Sequence, residues 1–218
     1  MKVKICGITR YEDARTALDA GAWALGFIFH PPSPRYVDSE QARDIVSRLP
    51  DDTRSIGVFV DRSAEQVQEI VDYVGLAGAQ LHGDESPDTL AAVRAEPLVK
   101  AFRVGRSADV ASDRSEVEHL EARIGEYTDA LILLDTYRKG AHGGTGETFD
   151  WSIAYEIASK RRLVLAGGLK PENILEAART VRPFALDVSS GLEASPGVKD
   201  PARVRELFAE LSDYRPDA

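Results

Sequence analysis

Short apolar, β-branched runs recur eight times along the chain, each followed by an amphipathic stretch with polar punctuation, and this alternation predicts eight βα units. The predicted strands are Val3 to Cys6, Ala24 to Phe29, Ser55 to Val60, Gly78 to Leu81, Leu98 to Phe102, Ala130 to Asp135, Leu163 to Ala166 and Ala185 to Val188. The predicted helices are Glu12 to Ala20, Ser39 to Leu49, Ala64 to Val74, Pro87 to Ala95, Ser115 to Tyr127, Trp151 to Ser159, Pro171 to Thr180 and Pro201 to Leu211. Ser39 and Ser63 read as helix caps, while Pro171 and Pro201 fall where a first turn tolerates a missing N–H. The strand runs are not clean alternations, as expected when both faces of a parallel sheet are covered. Eight units in 218 residues, with no linker or low-complexity segment, predict a single-domain α/β architecture over 1–218. It is read as a closed (β/α)8 TIM barrel, with an open doubly wound sheet as the alternative.

Composition narrows the function classes. Hydrophobic residues make up 43% and charged residues 29%, an ordinary globular balance rather than a disordered one. A net charge of −9 repels phosphate backbones and anionic bilayers, so neither a nucleic-acid nor a membrane partner is expected. The cationic cluster Lys160-Arg161-Arg162 follows an amphipathic segment and reads as a helix C-terminus. No stretch approaches the ~18 apolar residues of a membrane helix, and the first residues lack the apolar core of a signal peptide. A cytoplasmic location is therefore expected. A single cysteine permits no intrachain disulfide and no multi-thiolate metal site, which leaves Cys6 as either a small core residue or a reactive thiol.

In a barrel the active site lies at the C-terminal ends of the strands. The first predicted strand ends at Cys6 and turns through Gly7-Ile8-Thr9, and the sixth ends at Asp135. A carboxylate closing an apolar strand must be solvated, paired or functional, because isolated burial is costly. The second junction, Phe29 to Val37, is stiffened by three prolines and either presents Arg35 at the rim or is only a rigid exposed loop. The fourth, Gln80-Leu81-His82-Gly83-Asp84-Glu85, offers His82 as an acid/base group or a metal ligand. The metal reading is weaker, because no second ligand stands at helical spacing and Asp84 and Glu85 can be read as the start of the next helix. Glycines mark Ala166-Gly167-Gly168-Leu169 and Asp187-Val188-Ser189-Ser190-Gly191, the loops after the seventh and eighth strands. Backbone amides and a helix N-terminus there form the recurrent phosphate cradle of such barrels, so a phosphorylated small molecule is the expected ligand, with plain tight turns as the bland reading. Gly143-Gly144-Thr145-Gly146 lacks a GK[ST] ending and reads as a substrate loop or lid rather than a P-loop.

Taken together, Lys4-Ile5-Cys6-Gly7-Ile8-Thr9, Ser33-Pro34-Arg35-Tyr36-Val37, Gly57-Val58-Phe59-Val60, Gln80 to Glu85, Gly143 to Gly146, Ala166 to Asn173 and Asp187 to Gly191 resemble the phosphoribosylanthranilate isomerase family. The likeness runs from Lys4 to about Asp200. It implies an isomerase of tryptophan biosynthesis, interconverting an aldose and a ketose by an Amadori rearrangement of a phosphoribosyl anthranilate, with no cofactor and no metal. It further implies Cys6 as general base and Asp135 as general acid, Arg35 at the anthranilate end, Asp187 near its amine, and Gly168, Ser189, Ser190 and Gly191 around the phosphate. His82 would line the pocket. Thr136 stands where the resemblance leads one to expect serine, and the stretch from Val104 to Glu126 carries no motif. Monomer and homodimer both stay open. A ribulose-phosphate epimerase would need metal-binding histidines and paired aspartates, and an indoleglycerol-phosphate synthase would put lysines in the barrel mouth; neither constellation stands out in the sequence. A phosphate-binding module without catalysis would have lost Cys6 or Asp135, and both are present.

Overall fold

A computed structural model describes residues 1–104, 110–135 and 151–215. The eight apolar runs form parallel strands: β1 (Lys2–Cys6), β2 (Ala24–Ile28), β3 (Ser55–Phe59), β4 (Gly78–Leu81), β5 (Leu98–Arg103), β6 (Leu131–Asp135), β7 (Leu163–Ala166) and β8 (Ala185–Val188). Each pairs with its chain neighbour, and β1 closes on β8 with Lys4 opposite Asp187, so the sheet is a barrel and the open alternative is excluded. The intervening helices are α1 (Tyr11–Asp19), α2 (Ser39–Val46), α3 (Ala64–Val74), α4 (Pro87–Ala91), α5 (Val110–Gly125), α6 (Ser152–Lys160), α7 (Pro171–Val181) and α8 (Pro201–Glu210).

The near-continuous apolar runs are explained by two cores separated by the sheet. Leu133 belongs to a small cluster inside the barrel with Val99, Ala101, Leu131, Val164, Ala166 and Ala185. Ile132 and Leu134 point the other way, into the larger core beneath the helices with Phe27, Phe59 and Ile174. Successive side chains alternate between the two, as strand geometry requires. Fully burying each such aliphatic side chain contributes roughly 1.5–3 kcal/mol, so the two-sided strands are the main source of stability. The inner cluster lies on β5 to β8. On β1 and β4 the corresponding inward positions are Lys4 and Gln80, both buried. Gly26 on β2 leaves room for them: a Cβ there would stand 2.7 Å from the Cys6 sulfur and 3.1 Å from Lys4 Cε.

Local signals account for most helix starts, with three corrections. Ser63 forms a full capping box with Gln66 ahead of α3, as its spacing suggested. For α2 the cap is Asp38 rather than Ser39, its carboxylate accepting from Gln41 N at 2.8 Å. Ser86 caps α4, so Asp84 and Glu85 do not start that helix. Helix α5 begins earlier than predicted, at Val110. A hairpin after β8, β9 (Glu193–Ser195) with β10 (Val198–Lys199), was absent from the prediction because three and two residues carry no readable period. Asp13 anchors it, accepting from Lys199 N at 3.0 Å.

Candidate active site

Because side chains alternate along a strand, an inward residue at a strand's end is preceded by another two positions earlier. Lys4 and Cys6 on β1, Gln80 on β4 with His82 just beyond it, Leu133 and Asp135 on β6, and Asp187 on β8 with Ser189 just beyond it all follow this rule. Their convergence forms a cavity of about 350 Å³ at the C-terminal mouth. That volume suits a small ligand. Cys6, Arg35, His82, Asp135, Gly168, Asp187, Ser189 and Ser190 all line it. Gly191 does not. Its place is structural: a Cβ there would lie 2.1 Å from Leu169 O, so only glycine lets the loop after β8 pass against the loop after β7. Gly143 to Gly146 and Thr136 lie outside the described residues.

Around the barrel, β6, β7, β8 and β1 are consecutive neighbours. The loops after β7 and β8, with Gly168, Ser189 and Ser190, therefore stand between Asp135 on one side and Cys6 on the other. Two atoms of this region, Ser189 Oγ and Asp187 Oδ1, are buried without a hydrogen-bond partner among the described residues. Such orphans are costly unless something else bonds to them.

Charge beneath the cavity is organised by Lys4, which is 2% exposed. Its ammonium donates to Asp187 Oδ2 at 2.7 Å and to Gln80 Oε1 at 3.0 Å. Burial alone would lower its pKa, but the attraction of Asp187 and Cys6 outweighs that and raises it, so the ammonium stays charged. Burial pushes the Cys6 thiol up; Lys4 opposes this and Asp187 adds to it. Gln80 Nε2 lies 3.0 Å from His82 Nδ1, and His82 Nε2 lies 3.4 Å from Asp135 Oδ2. Among the described residues no lysine lines the cavity; Lys4 lies beneath it, bonded to Asp187 and Gln80.

Arg35 reaches the rim but is not a loosely held cation. Its guanidinium makes a two-pronged bond to Glu193, 2.7 Å on each prong, and Lys199 Nζ donates to the same carboxylate at 3.0 Å. Burial would raise the Glu193 carboxyl, yet the two cations hold it below the usual carboxylate range. The proline-stiffened loop after β2 is thus tied to the hairpin after β8. Sequence reasoning missed Lys4, Gln80, Glu193 and Lys199. The first two were recoverable, being polar positions two residues before Cys6 and His82 on otherwise apolar strands; the last two have no local signal.

A second, wider cavity of about 860 Å³ lies at the opposite mouth, between Trp23, Phe184 and several cations including Arg161 and Arg162. It contains none of the candidate residues. Among the described residues no three His, Cys, Asp or Glu side chains gather as a cation site, and no helix is long and apolar enough to cross a membrane.

Fold and cavity together define a (β/α)8-barrel enzyme with its polar groups at the C-terminal mouth. Comparison with known proteins supplies the particular family. Residues 3–210 match the family described as N-(5'-phosphoribosyl)anthranilate (PRA) isomerase. The chain is 46% identical over 209 residues to the N-(5'-phosphoribosyl)anthranilate isomerase of Citrifermentans bemidjiense, covering 96% of each. A phosphoribosyl anthranilate isomerase solved with reduced 1-(o-carboxyphenylamino)-1-deoxyribulose 5-phosphate superposes with a TM-score of 0.81 at 38% identity, covering 96% of this chain and 97% of the other. The structure of monomers generated from the dimeric Thermotoga maritima enzyme gives the same TM-score, identity and coverage. The chain belongs to the N-(5'-phosphoribosyl)anthranilate isomerase family, aldose–ketose isomerases of tryptophan biosynthesis.

Proposed function

We propose that this chain isomerises N-(5-phosphoribosyl)anthranilate to 1-(2-carboxyphenylamino)-1-deoxyribulose 5-phosphate, with Asp135 as general acid and Cys6 as general base. Asp135 gives its proton to the ribose ring oxygen as the C1–O bond breaks, and the anthranilate nitrogen lone pair forms an iminium at C1. The Cys6 thiolate then takes the proton from C2, and its electron pair neutralises the iminium as an enolamine. Protonation at C1 and loss of the C2 hydroxyl proton give the ketone. Atoms and charge balance, and no redox partner enters.

One observation carries this reading: an acid and a base on β6 and β1 flank the glycine-bearing loops after β7 and β8 in a single cavity of about 350 Å³. A 5-phosphate held on the amides of Gly168 and Ser190 and on Ser189 Oγ sets the sugar between the two groups. Asp187 Oδ1, buried and without a partner among the described residues, accepts the anthranilate N–H, and Arg35, fixed by Glu193, faces the anthranilate carboxylate. Gly191 serves by letting the two phosphate loops meet. The reaction belongs in the cytoplasm, and light scattering on the purified chain distinguishes the monomer from a homodimer. The activity test is the fluorescence of freshly generated phosphoribosylanthranilate after adding the chain without metal or nucleotide. Rapid decay supports the assignment; decay at the spontaneous rate with folded protein overturns it and redirects attention to another phosphosugar.

A further inference from the structure

Gln80 is 1% exposed, sits inside the barrel and plays no part in the steps above. Its two amide ends face different partners. One lies 3.0 Å from Lys4 Nζ. An ammonium has donors only, so that end must be the oxygen. The other end is then the NH2 group, and it stands 3.0 Å from His82 Nδ1. A donor there requires Nδ1 to accept, which leaves the proton of a neutral imidazole on Nε2. Nε2 is the atom 3.4 Å from Asp135 Oδ2.

From this we infer that Gln80, oriented by Lys4, is a positioning residue: it fixes the His82 proton on Nε2 and aims it at the carboxyl of Asp135. The directions of the Lys4–Gln80 and Gln80–His82 bonds, and the nitrogen of His82 that carries the proton toward Asp135, are set by the ammonium at the start of the series. Turning the amide over would set its NH2 against the ammonium at 3.0 Å, two donors face to face, and β4 is pinned between β3 and β5, so Gln80 has little room to move away.

The inference rests on the reading of Asp135 as the acid. With Oδ2 facing His82 Nε2 at 3.4 Å, the acidic proton is assigned to Oδ1. As that proton leaves, negative charge grows on a carboxylate whose donor is already in place, and a pre-placed donor lowers the barrier because nothing must reorganise. The contact at 3.4 Å is long for a hydrogen bond and has room to shorten as charge develops. One hydrogen bond to a developing charge corresponds to a fall of roughly 10- to 100-fold in turnover when lost.

Two variants and one spectrum test this. In Gln80→Met the amide is gone, and kcat falls by about 10- to 100-fold while KM stays nearly constant, because the lost bond is made to charge present only after ring opening. In Gln80→Glu the size and the Lys4 contact persist, but the carboxylate only accepts, so a neutral His82 carries its proton on Nδ1. Donation to Asp135 then survives only when the ring is doubly protonated, and kcat gains a decline with rising pH that the unaltered enzyme lacks. Cys6, Asp135, Asp187 and Arg35 share the cavity with the ring and are unchanged in both variants. Independently of turnover, the ring nitrogen-15 spectrum of His82 in the unaltered protein shows the Nε2–H form. A purely structural glutamine predicts instead that Gln80→Glu retains normal kcat with no new pH dependence. That result, or an Nδ1–H ring in the unaltered protein, overturns the inference. Failure of the isomerase assay in the unaltered chain would sink the acid assignment instead and leave the tautomer measurement standing.

Discussion

Replacing Lys100 by methionine should destabilise the protein far more than its distance from the cavity suggests. Lys100 on β5 points away from the barrel axis, and its ammonium bonds to Glu85 Oε2 at 2.7 Å and Gly83 O at 2.6 Å. Glu85 in turn accepts from Asp61 N at 2.9 Å and Gly83 N at 3.0 Å, and Tyr127 Oη donates to its carbonyl at 2.7 Å. Both side chains are nearly sealed, 3% and 2% exposed. Methionine keeps the stem's length and apolar packing but strips the charge, so a carboxylate remains buried with backbone donors and no cation. Breaking a buried pair from one side costs about 3–5 kcal/mol. For a chain of this size each kcal/mol moves Tm by roughly 2–4 °C, so Lys100→Met should lower Tm by roughly 6–20 °C. Arg15→Ala serves as the control: its pair with Asp19 is 3.1 Å long but 42% and 66% exposed, a setting worth about 0–1 kcal/mol. Thermal unfolding followed by circular dichroism at neutral pH compares the two. Equal shifts for Lys100→Met and Arg15→Ala would refute the reasoning that burial, rather than the mere presence of an ion pair, decides the cost.

Other expectations follow from the same geometry. Because burial raises the Cys6 thiol, little thiolate exists at neutral pH and its fraction grows as pH rises; alkylation by iodoacetamide should accelerate into the alkaline range beyond the ordinary thiol value. Lys4→Met removes the nearest opposing charge and should slow alkylation further, whereas a faster reaction would contradict the role given to Lys4. The Glu193 carboxyl is held low by Arg35 and Lys199, so its contribution to stability is present above the ordinary carboxylate pKa and is lost as pH falls through its lowered value. Urea midpoints taken at neutral and acidic pH should show Glu193→Gln weakened by about 1.5–3 kcal/mol at neutral pH, with the gap closing in acid. Gly26→Ala drives a methyl group to within 2.7 Å of the Cys6 sulfur; overpacking of about 1–3 kcal/mol is expected, with a larger loss in kcat because the base is displaced. Normal kcat in that variant would show that the base is not held where the barrel places it.

Much of this molecule was legible in its sequence because (β/α)8 strands are covered on both faces. Leu131-Ile132-Leu133-Leu134 reads as a strand without ambiguity, and its carboxylate terminus at Asp135 marks the mouth. Cys6 and His82 were singled out in the same way, as chemistry at strand ends, and Asp187 through the family resemblance; all three line the cavity. The remainder depended on contacts distant along the chain. Glu193 meets Arg35 across 158 positions and Lys4 meets Asp187 across 183, and no local pattern encodes either pairing. Glu85 shows how a short-range rule misleads: beside the helix start it resembles a first-turn acid, but the ammonium of Lys100 claims it for the interior. Gly191 was read from its place in the loop as a phosphate contact; it does not line the cavity, and its close packing against Leu169 is a requirement no local pattern shows.

The central claim is that Cys6 and Asp135 move the two protons of the isomerisation, and single-turnover decay of phosphoribosylanthranilate fluorescence in Cys6→Ser and Asp135→Asn tests it most directly. With folding confirmed by circular dichroism, each variant should lose about 10²–10⁴-fold in rate while still binding the product, since the phosphate loops and Arg35 are untouched. Near-normal turnover in either folded variant would contradict the account.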